Sequence, residues 1–270
     1  MLFSEQVFFR VKRLSVCLMG YPRFGLIILS VCLLSSCANI PVKPQPVFIP
    51  EKPVADLNFL RHDVLHIVGP GETLWRISKI YDVPAREISS LNHLDPKNPV
   101  LKKGQRLLIR GAAEPVPVIS LYRSKKWKYI IIHHSATDEG DSLSFDKAHL
   151  KKGWDGVGYH FVIDNGSQGK NDGLIEVSPR WLKNKDGSHC KASGMNTKAI
   201  GICLVGNFSK DSPSAKQMAS LVYLTNRLRN YYGVPLERIM EHGQVPGAKT
   251  ECPGKRFPWN EFKSRLRSAR

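Results

Sequence analysis

Tyr129-Ile130-Ile131-Ile132-His133-His134, residues 129–134, is the stretch that decides how this chain folds. Three consecutive isoleucines are β-branched and apolar at every position, which suits a strand buried on both faces of a sheet. Two histidines close the run. Successive strand residues point to opposite faces, so His133 and His134 cannot easily aim at one point. One is a ligand candidate, and the other packs or supports. Far downstream, His242 and Cys252 stand ten residues apart in EHGQVPGAKTECPG. Imidazole and thiolate are preferred zinc ligands, and three protein ligands with an open fourth position make a catalytic site. A histidine ending a buried strand, with a later histidine and cysteine, can supply those three. Plain packing of the same residues is the alternative, since cysteine is among the most buried residue types.

Outward from that strand, residues 128–270 alternate strand and helix patterns. Ser144–Lys151 reads as a helix, Gly158–Ile163 as a strand and Leu174–Val177 as a short edge strand. Ala199–Val205 is apolar on both faces, as in a central strand covered by helices. Ser214–Tyr231 carries Met218, Leu221, Val222, Leu224, Thr225 and Leu228 at amphipathic spacing, and a last helix runs from Trp259 to Leu266. The expected class is α/β, a mixed central sheet with flanking helices. Tyr159 and His160 in GYHF pose the same either/or choice of face as the histidine pair.

Upstream, residues 63–111 make a smaller unit. Val64–Val68 suits a strand, Thr73 caps a helix with Leu74, Ile77 and Ile80 on one face, and Val83-Pro84 breaks it. Ala85–Leu91 reads as a second helix and Leu107–Ile109 as a closing strand. This βααβ unit is too small for a deep core, so a compact module on linkers is expected. Residues 37–62 are proline-rich and suit an extended spacer, and 112–127, with its basic run, reads as a second linker.

The formal charge is +17; residues 1–36 hold four basic and one acidic side chain, so without them it is +14. A basic body favours anionic partners. Nucleic acid is the usual guess, and the N-terminus argues against it. Residues 24–34 (FGLIILSVCLL) follow basic residues and have the length of a signal-peptide apolar region, short of the roughly 20 residues of a spanning helix. Met19 is an alternative start that leaves an 18-residue signal. The run ends in Leu34-Ser35-Ser36-Cys37, which resembles a bacterial lipoprotein lipobox. That implies a signal peptide over 1–36, lipid on Cys37 and a membrane anchor. Ala38 resembles outer-membrane sorting, facing the periplasm. Cys190, Cys203 and Cys252 remain in the body; the first two are free thiols or one disulfide.

Residues 66–109, HIVGPGETLWRISKIYDVPAREISSLNHLDPKNPVLKKGQRLLI, resemble a LysM domain through the GETLW turn, Asn92 after the second helix and the Lys103-Gly104-Gln105 approach to the last strand. The resemblance implies binding of peptidoglycan glycans in a groove lined by Gly71, Glu72 and Thr73 on one side and Asn98, Pro99 and Val100 on the other. In the larger unit, IIIHHSAT, WDGVGYHFVID, NTKAIGICLVGNF and EHGQVPGAKTECPG, in this order, resemble the zinc-dependent N-acetylmuramoyl-L-alanine amidase type 2 family. This superfamily includes phage amidase lysozymes and animal peptidoglycan recognition proteins. The resemblance implies one zinc ion per chain on His133, His242 and Cys252, and Tyr159 near the metal. It places His189 and Asn196 at the muropeptide groove. Thr250 stands where phage members carry lysine, with Lys249 beside it, and these are candidates to assist catalysis. Another branch has a glutamate where this chain has Cys203. The implied activity is cleavage of the amide between N-acetylmuramic acid and L-alanine. The alternative is a non-catalytic muropeptide binder in the envelope.

Overall fold

The computed structural model describes Val47–Phe48 and residues 61–268, all within one compact unit spanning Pro44–Arg270. The expected signal peptide at 1–36, the expected lipid site Cys37 and most of the proline-rich spacer lie outside the described residues. Among those described, no helix is long and apolar enough to cross a membrane.

The small module runs β2 (His62–Ile67), α1 (Leu74–Tyr81), α2 (Ala85–Leu91) and β3 (Arg106–Ala112). Its two strands pair antiparallel, with Leu65 opposite Leu108. The Thr73 hydroxyl accepts the Arg76 N–H and caps α1, leaving the first-turn donors partly satisfied. Ile77, Ile88, Leu107 and Ile109 are fully buried between helices and strands. Asn92 ends α2 because its side chain pairs with both backbone groups of Leu108 on β3.

The larger domain is built on a five-stranded sheet in the order β7-β6-β8-β5-β9. These are β5 (Tyr129–His134), β6 (Phe161–Ile163), β7 (Ile175–Val177), β8 (Ala199–Leu204) and β9 (Ile239–Glu241). All neighbours are parallel except β6 and β7, which form an antiparallel edge. The expected mixed α/β class is what the chain adopts. Alternation then divides the residues between faces. Ile130, Ile132, Phe161, Ile163, Ile200, Ile202 and Leu204 join one core with α6 (Ala215–Tyr232) and α7 (Trp259–Ser268). Ile131, Val162, Gly201 and Cys203 occupy alternate positions and face the other side. That side is covered by α3 (Ser142–Lys151), α5 (Met195–Lys198) and the loops between them, whereas Trp181 of α4 (Pro179–Leu182) packs in the first core. Each buried isoleucine contributes about 1.5–3 kcal/mol, which fixes the register of β5 and therefore the face that His133 takes.

The 112–127 stretch, expected as a linker, is packed along most of its length. Val118 belongs to the module's core, whereas Ile119, Leu121 and Trp127 belong to the core of the sheet domain. Ile119–Ser120 (β4) also pairs antiparallel with Val47–Phe48 (β1), so part of the proline-rich spacer is a strand. The basic residues that suggested a solvated run sit between apolar ones that insert; the Lys126 ammonium lies over the Trp127 ring at 4.2 Å.

The module is also docked on the sheet domain. Lys170, in the β6–β7 connection, donates to the Ile67 carbonyl at 2.8 Å and pairs with Glu176 of β7 at 3.2 Å. Glu72 of the module accepts from the Gly69 N–H and pairs with His66. Burial alone would raise the Glu72 carboxyl; the His66 hydrogen bond and charge, with Lys170, outweigh it and bring it down to about 2. Burial would likewise lower Lys170, and Glu176 and Glu72 hold it above the ordinary lysine range. Asp164, buried beside Glu176, is pushed well above the carboxylate range by burial and that neighbour, so it keeps its proton.

Candidate metal centre

His133 is the penultimate residue of β5, on the face opposite to α6 and α7, and is 2% exposed. β9 lies parallel beside it, pairing Ile132 with Glu241, so the next residue, His242, starts a short 3-10 turn beside His133. The two imidazole rings are 4.5 Å apart between centroids. The loop from Val245 returns so that the Gly243 N–H bonds the Cys252 carbonyl at 2.8 Å. Gly243 is required there, because a Cβ would stand 2.6 Å from the Thr250 carbonyl oxygen. One ligand atom from each of His133, His242 and Cys252 falls within 4.8 Å of the others.

This donor set fits a zinc ion. At usual bond lengths zinc separates a nitrogen and a sulfur ligand by about 3.6 Å, and His133 Nδ1 lies 3.7 Å from Cys252 Sγ. Burial, then the neighbouring histidines, push His133 well below the ordinary imidazole range, and burial lowers His242. Both are therefore neutral at pH 7, with a lone pair to offer. Burial pushes the Cys252 thiol up to about 12, against the His134 N–H that donates to Sγ at 3.3 Å. A buried thiol of this kind ionises when a cation is bound to it.

His189 settles which nitrogen of His133 is free. Its Nε2 faces the Ala199 carbonyl at 3.3 Å and, since a carbonyl only accepts, carries the proton. Its Nδ1 then accepts from His133 Nε2–H at 3.0 Å. His133 Nδ1 is left with its lone pair towards Cys252. This is the outer-shell support that metal-ligating histidines need. Gly201 makes room for it: a Cβ there would stand 2.4 Å from the His189 ring.

The other sequence-derived candidates are distributed unevenly. Tyr159 is half-buried, its ring 5.3 Å from that of His133. Burial, with Cys203 and Cys252 nearby, raises its phenol well above the ordinary range, so it stays a proton donor. His160 is fully buried against His189, ring centroids 5.5 Å apart, accepting from Gly201 N–H and facing the Lys185 carbonyl, and is structural. His134 accepts the Phe208 N–H at 3.0 Å on the α6 face. Thr250 is exposed, and its hydroxyl accepts the Cys252 N–H at 3.1 Å; Lys249 is exposed beside it. Asn196, expected at a substrate groove, uses its carboxamide oxygen to accept the N–H groups of His189 and Cys190, both at 2.8 Å. It shapes the loop that carries His189. Cys190, Cys203 and Cys252 are all free thiols.

In the small module, Gly71 faces Pro179 and Leu182 of the sheet domain, Glu72 is held by His66, and Thr73 caps α1. These three are occupied by the fold and the docking. Asn98 and Val100 are exposed, and Pro99 lines a cavity of about 440 Å³ with Leu74, Arg86, Ser89 and His93. Sequence reasoning missed β9, three residues long with a single buried position, and the second histidine contact to His133. The dipeptide Ile239-Met240 before Glu241-His242 was the available signal for that strand.

The sequence profile of N-acetylmuramoyl-L-alanine amidase matches residues 123–255, and that of the LysM domain residues 66–110. The endolysin of Enterobacteria phage K11 is 31% identical over 145 residues, which is 50% of this chain and 85% of the endolysin. Peptidoglycan-recognition protein 2 of Holotrichia diomphalia is 34% identical over 106 residues, 36% of this chain and 51% of that protein. Among solved structures, the N-acetylmuramoyl-L-alanine amidase LysC from Clostridium intestinale URNW aligns at a TM-score of 0.44 and 34% identity, covering 53% of this chain and 89% of its own.

Proposed function

This chain belongs to the N-acetylmuramoyl-L-alanine amidase family and carries a LysM domain, and from that premise we propose that it hydrolyses the amide between N-acetylmuramic acid and L-alanine in peptidoglycan. The observation that carries the proposal is the convergence of His133, His242 and Cys252 within 4.8 Å, with Tyr159 against His133. These three residues would hold a zinc ion, which would supply a Lewis acid for the scissile carbonyl and lower the pKa of a water to about 7.

The chain's own residues do the rest. His189 orients His133 and holds its proton on Nε2. The Tyr159 phenol, kept protonated by burial, donates a hydrogen bond to the oxygen that gains charge as the carbonyl becomes tetrahedral. One such donor is worth about 10²–10³ in rate. Lys249 stands at the exposed rim, where its ammonium can meet the substrate's negative charge. The Thr250 hydroxyl fixes the turn that presents Cys252. The LysM domain holds glycan strands and raises the effective concentration of the catalytic domain at the wall. The lipobox at Cys37 and the basic body suit a lipid-anchored envelope protein, outer-membrane bound and facing the periplasm, with no nucleic-acid partner.

Digestion of purified sacculi, with and without a chelator, tests the reading. New L-alanine amino termini should accumulate and be lost with chelation. Reducing sugar ends without new amines would sink the amidase. A folded sample without stoichiometric zinc and without hydrolysis would favour a muropeptide binder.

A further inference from the structure

We infer that Asp146 is a positioning residue that couples docking of the LysM domain to the loop carrying Tyr159. The inference deepens the amidase reading and, for its catalytic part, rests on it.

Asp146 lies in the middle of α3 with its side chain 5% exposed, and its two carboxylate oxygens serve two different parts of the molecule. Oδ2 receives the ammonium of Lys103, from the LysM turn, at 2.7 Å. Oδ1 accepts the Val157 N–H, in the loop of the sheet domain, at 3.1 Å. The turn that delivers Val157 is wrapped closely on that oxygen. Gly156 has φ +71, and a Cβ there would stand 2.5 Å from Asp146 Oδ1. One helical turn further along α3, His149 Nδ1 accepts the Gly158 N–H at 3.0 Å. Tyr159 is the next residue, packed on His149 and on His133. From Lys103 to the phenol, each link is therefore a hydrogen bond, an ion pair or a chain neighbour.

The physics gives the link a direction. A buried carboxylate held by an ammonium and one backbone N–H is satisfied, and the charge-assisted bond is the stronger of the two. Without the ammonium the carboxylate is left buried with a single donor, a costly state that it relieves by turning towards water. Turning releases Val157. Lys103 itself is half-exposed at 51%, so the ion pair is reached from the docking side and not locked in the core. The contact beside it is light as well: Gly104 lies against Leu143 of α3, its Cβ position 3.6 Å away. The state of the LysM turn is thus read by the residue that orders the catalytic loop. Arg180 also binds this loop, through the Val157 and Asp155 carbonyls. Loss of Lys103 should therefore loosen the loop without unfolding it.

The test uses the intact chain with Lys103→Met, Lys103→Arg and Asp146→Asn. It combines hydrogen–deuterium exchange with steady-state hydrolysis of a soluble N-acetylmuramoyl-peptide too small to bridge both domains. Lys103→Met and Asp146→Asn should speed exchange at residues 155–159 by about tenfold. They should lower kcat about fivefold to tenfold with KM within about twofold, because orientation and not binding is lost. Arginine, keeping the charge, should restore most of both. Unchanged exchange in Lys103→Met, a loss confined to KM, or an arginine variant no better than methionine overturns the coupling. If the unaltered chain hydrolyses nothing, the amidase reading fails, and the exchange data alone decide whether Asp146 orders the loop.

Discussion

The described residues place one buried polar cluster at the candidate metal centre and another where the LysM domain meets the sheet domain. They are built on opposite principles. At the junction, Lys170 and Glu72 are held in their charged forms by opposite charges, Lys170 also reaches the Ile67 carbonyl and pairs with Glu176, and burial raises the Glu176 carboxyl against the pull of that ammonium. At the candidate metal centre, burial drives His133, His242 and Cys252 towards their uncharged forms. The three converge as donors of lone pairs. A cluster of paired opposite charges is glue between elements. A cluster of converging donors, each held neutral, is completed by a cation from outside.

The comparison can be broken first at the metal centre. His133→Ala should remove stoichiometric zinc and lower hydrolysis by at least about 10³-fold. His134→Ala, whose ring serves Phe208, should keep zinc near the normal content. Equal zinc loss in both variants would show that the face assignment is wrong. At the junction, Lys170→Met should leave zinc content alone and destabilise the fold by about 3–5 kcal/mol, because Glu176 and Glu72 lose their buried partner. A urea midpoint shift equivalent to less than about 1 kcal/mol would mean that the pairing is not what holds the domains.

A smaller effect follows from acid. Glu72 titrates near 2 in the folded chain against an ordinary 4.5, so its contribution is fully present above about pH 4.5 and is lost as pH falls towards 2. It amounts to about 2–3 kcal/mol. Glu72→Gln should flatten the stability profile over that window, read by chemical denaturation at a series of pH values. A parallel profile in the variant would refute the pairing.

Much of this was legible from side-chain periodicity. The isoleucine run, the amphipathic α6 and the Thr73 cap act locally, within one or two turns or one strand. Alternation along β5 was enough to put His133 and His134 on opposite faces, because a pleat leaves no freedom of face, and the family resemblance then chose His133 as the ligand. The docking was not legible. Pro115 and the lysines of 123–128 have the composition of a linker, and only packing against both cores reveals where Val118, Ile119 and Trp127 go. Gly71, Glu72 and Thr73 likewise fit a sugar-binding turn on motif alone, whereas their neighbours Pro179, Leu182 and His66 show them engaged.

What the sequence determined by itself, then, is the identity of the two domains, the strand that ends in His133 and the residue types able to hold a metal. These follow from local sterics and from the chemistry of single side chains. What the tertiary structure decided is which groups share a charge, a proton or a cation. β9 brings His242 beside His133, Gly201 admits His189, and Asp146 meets Lys103 across 43 residues. Such pairings depend on distances between segments remote in the chain, and burial then sets their energies by removing water from around them.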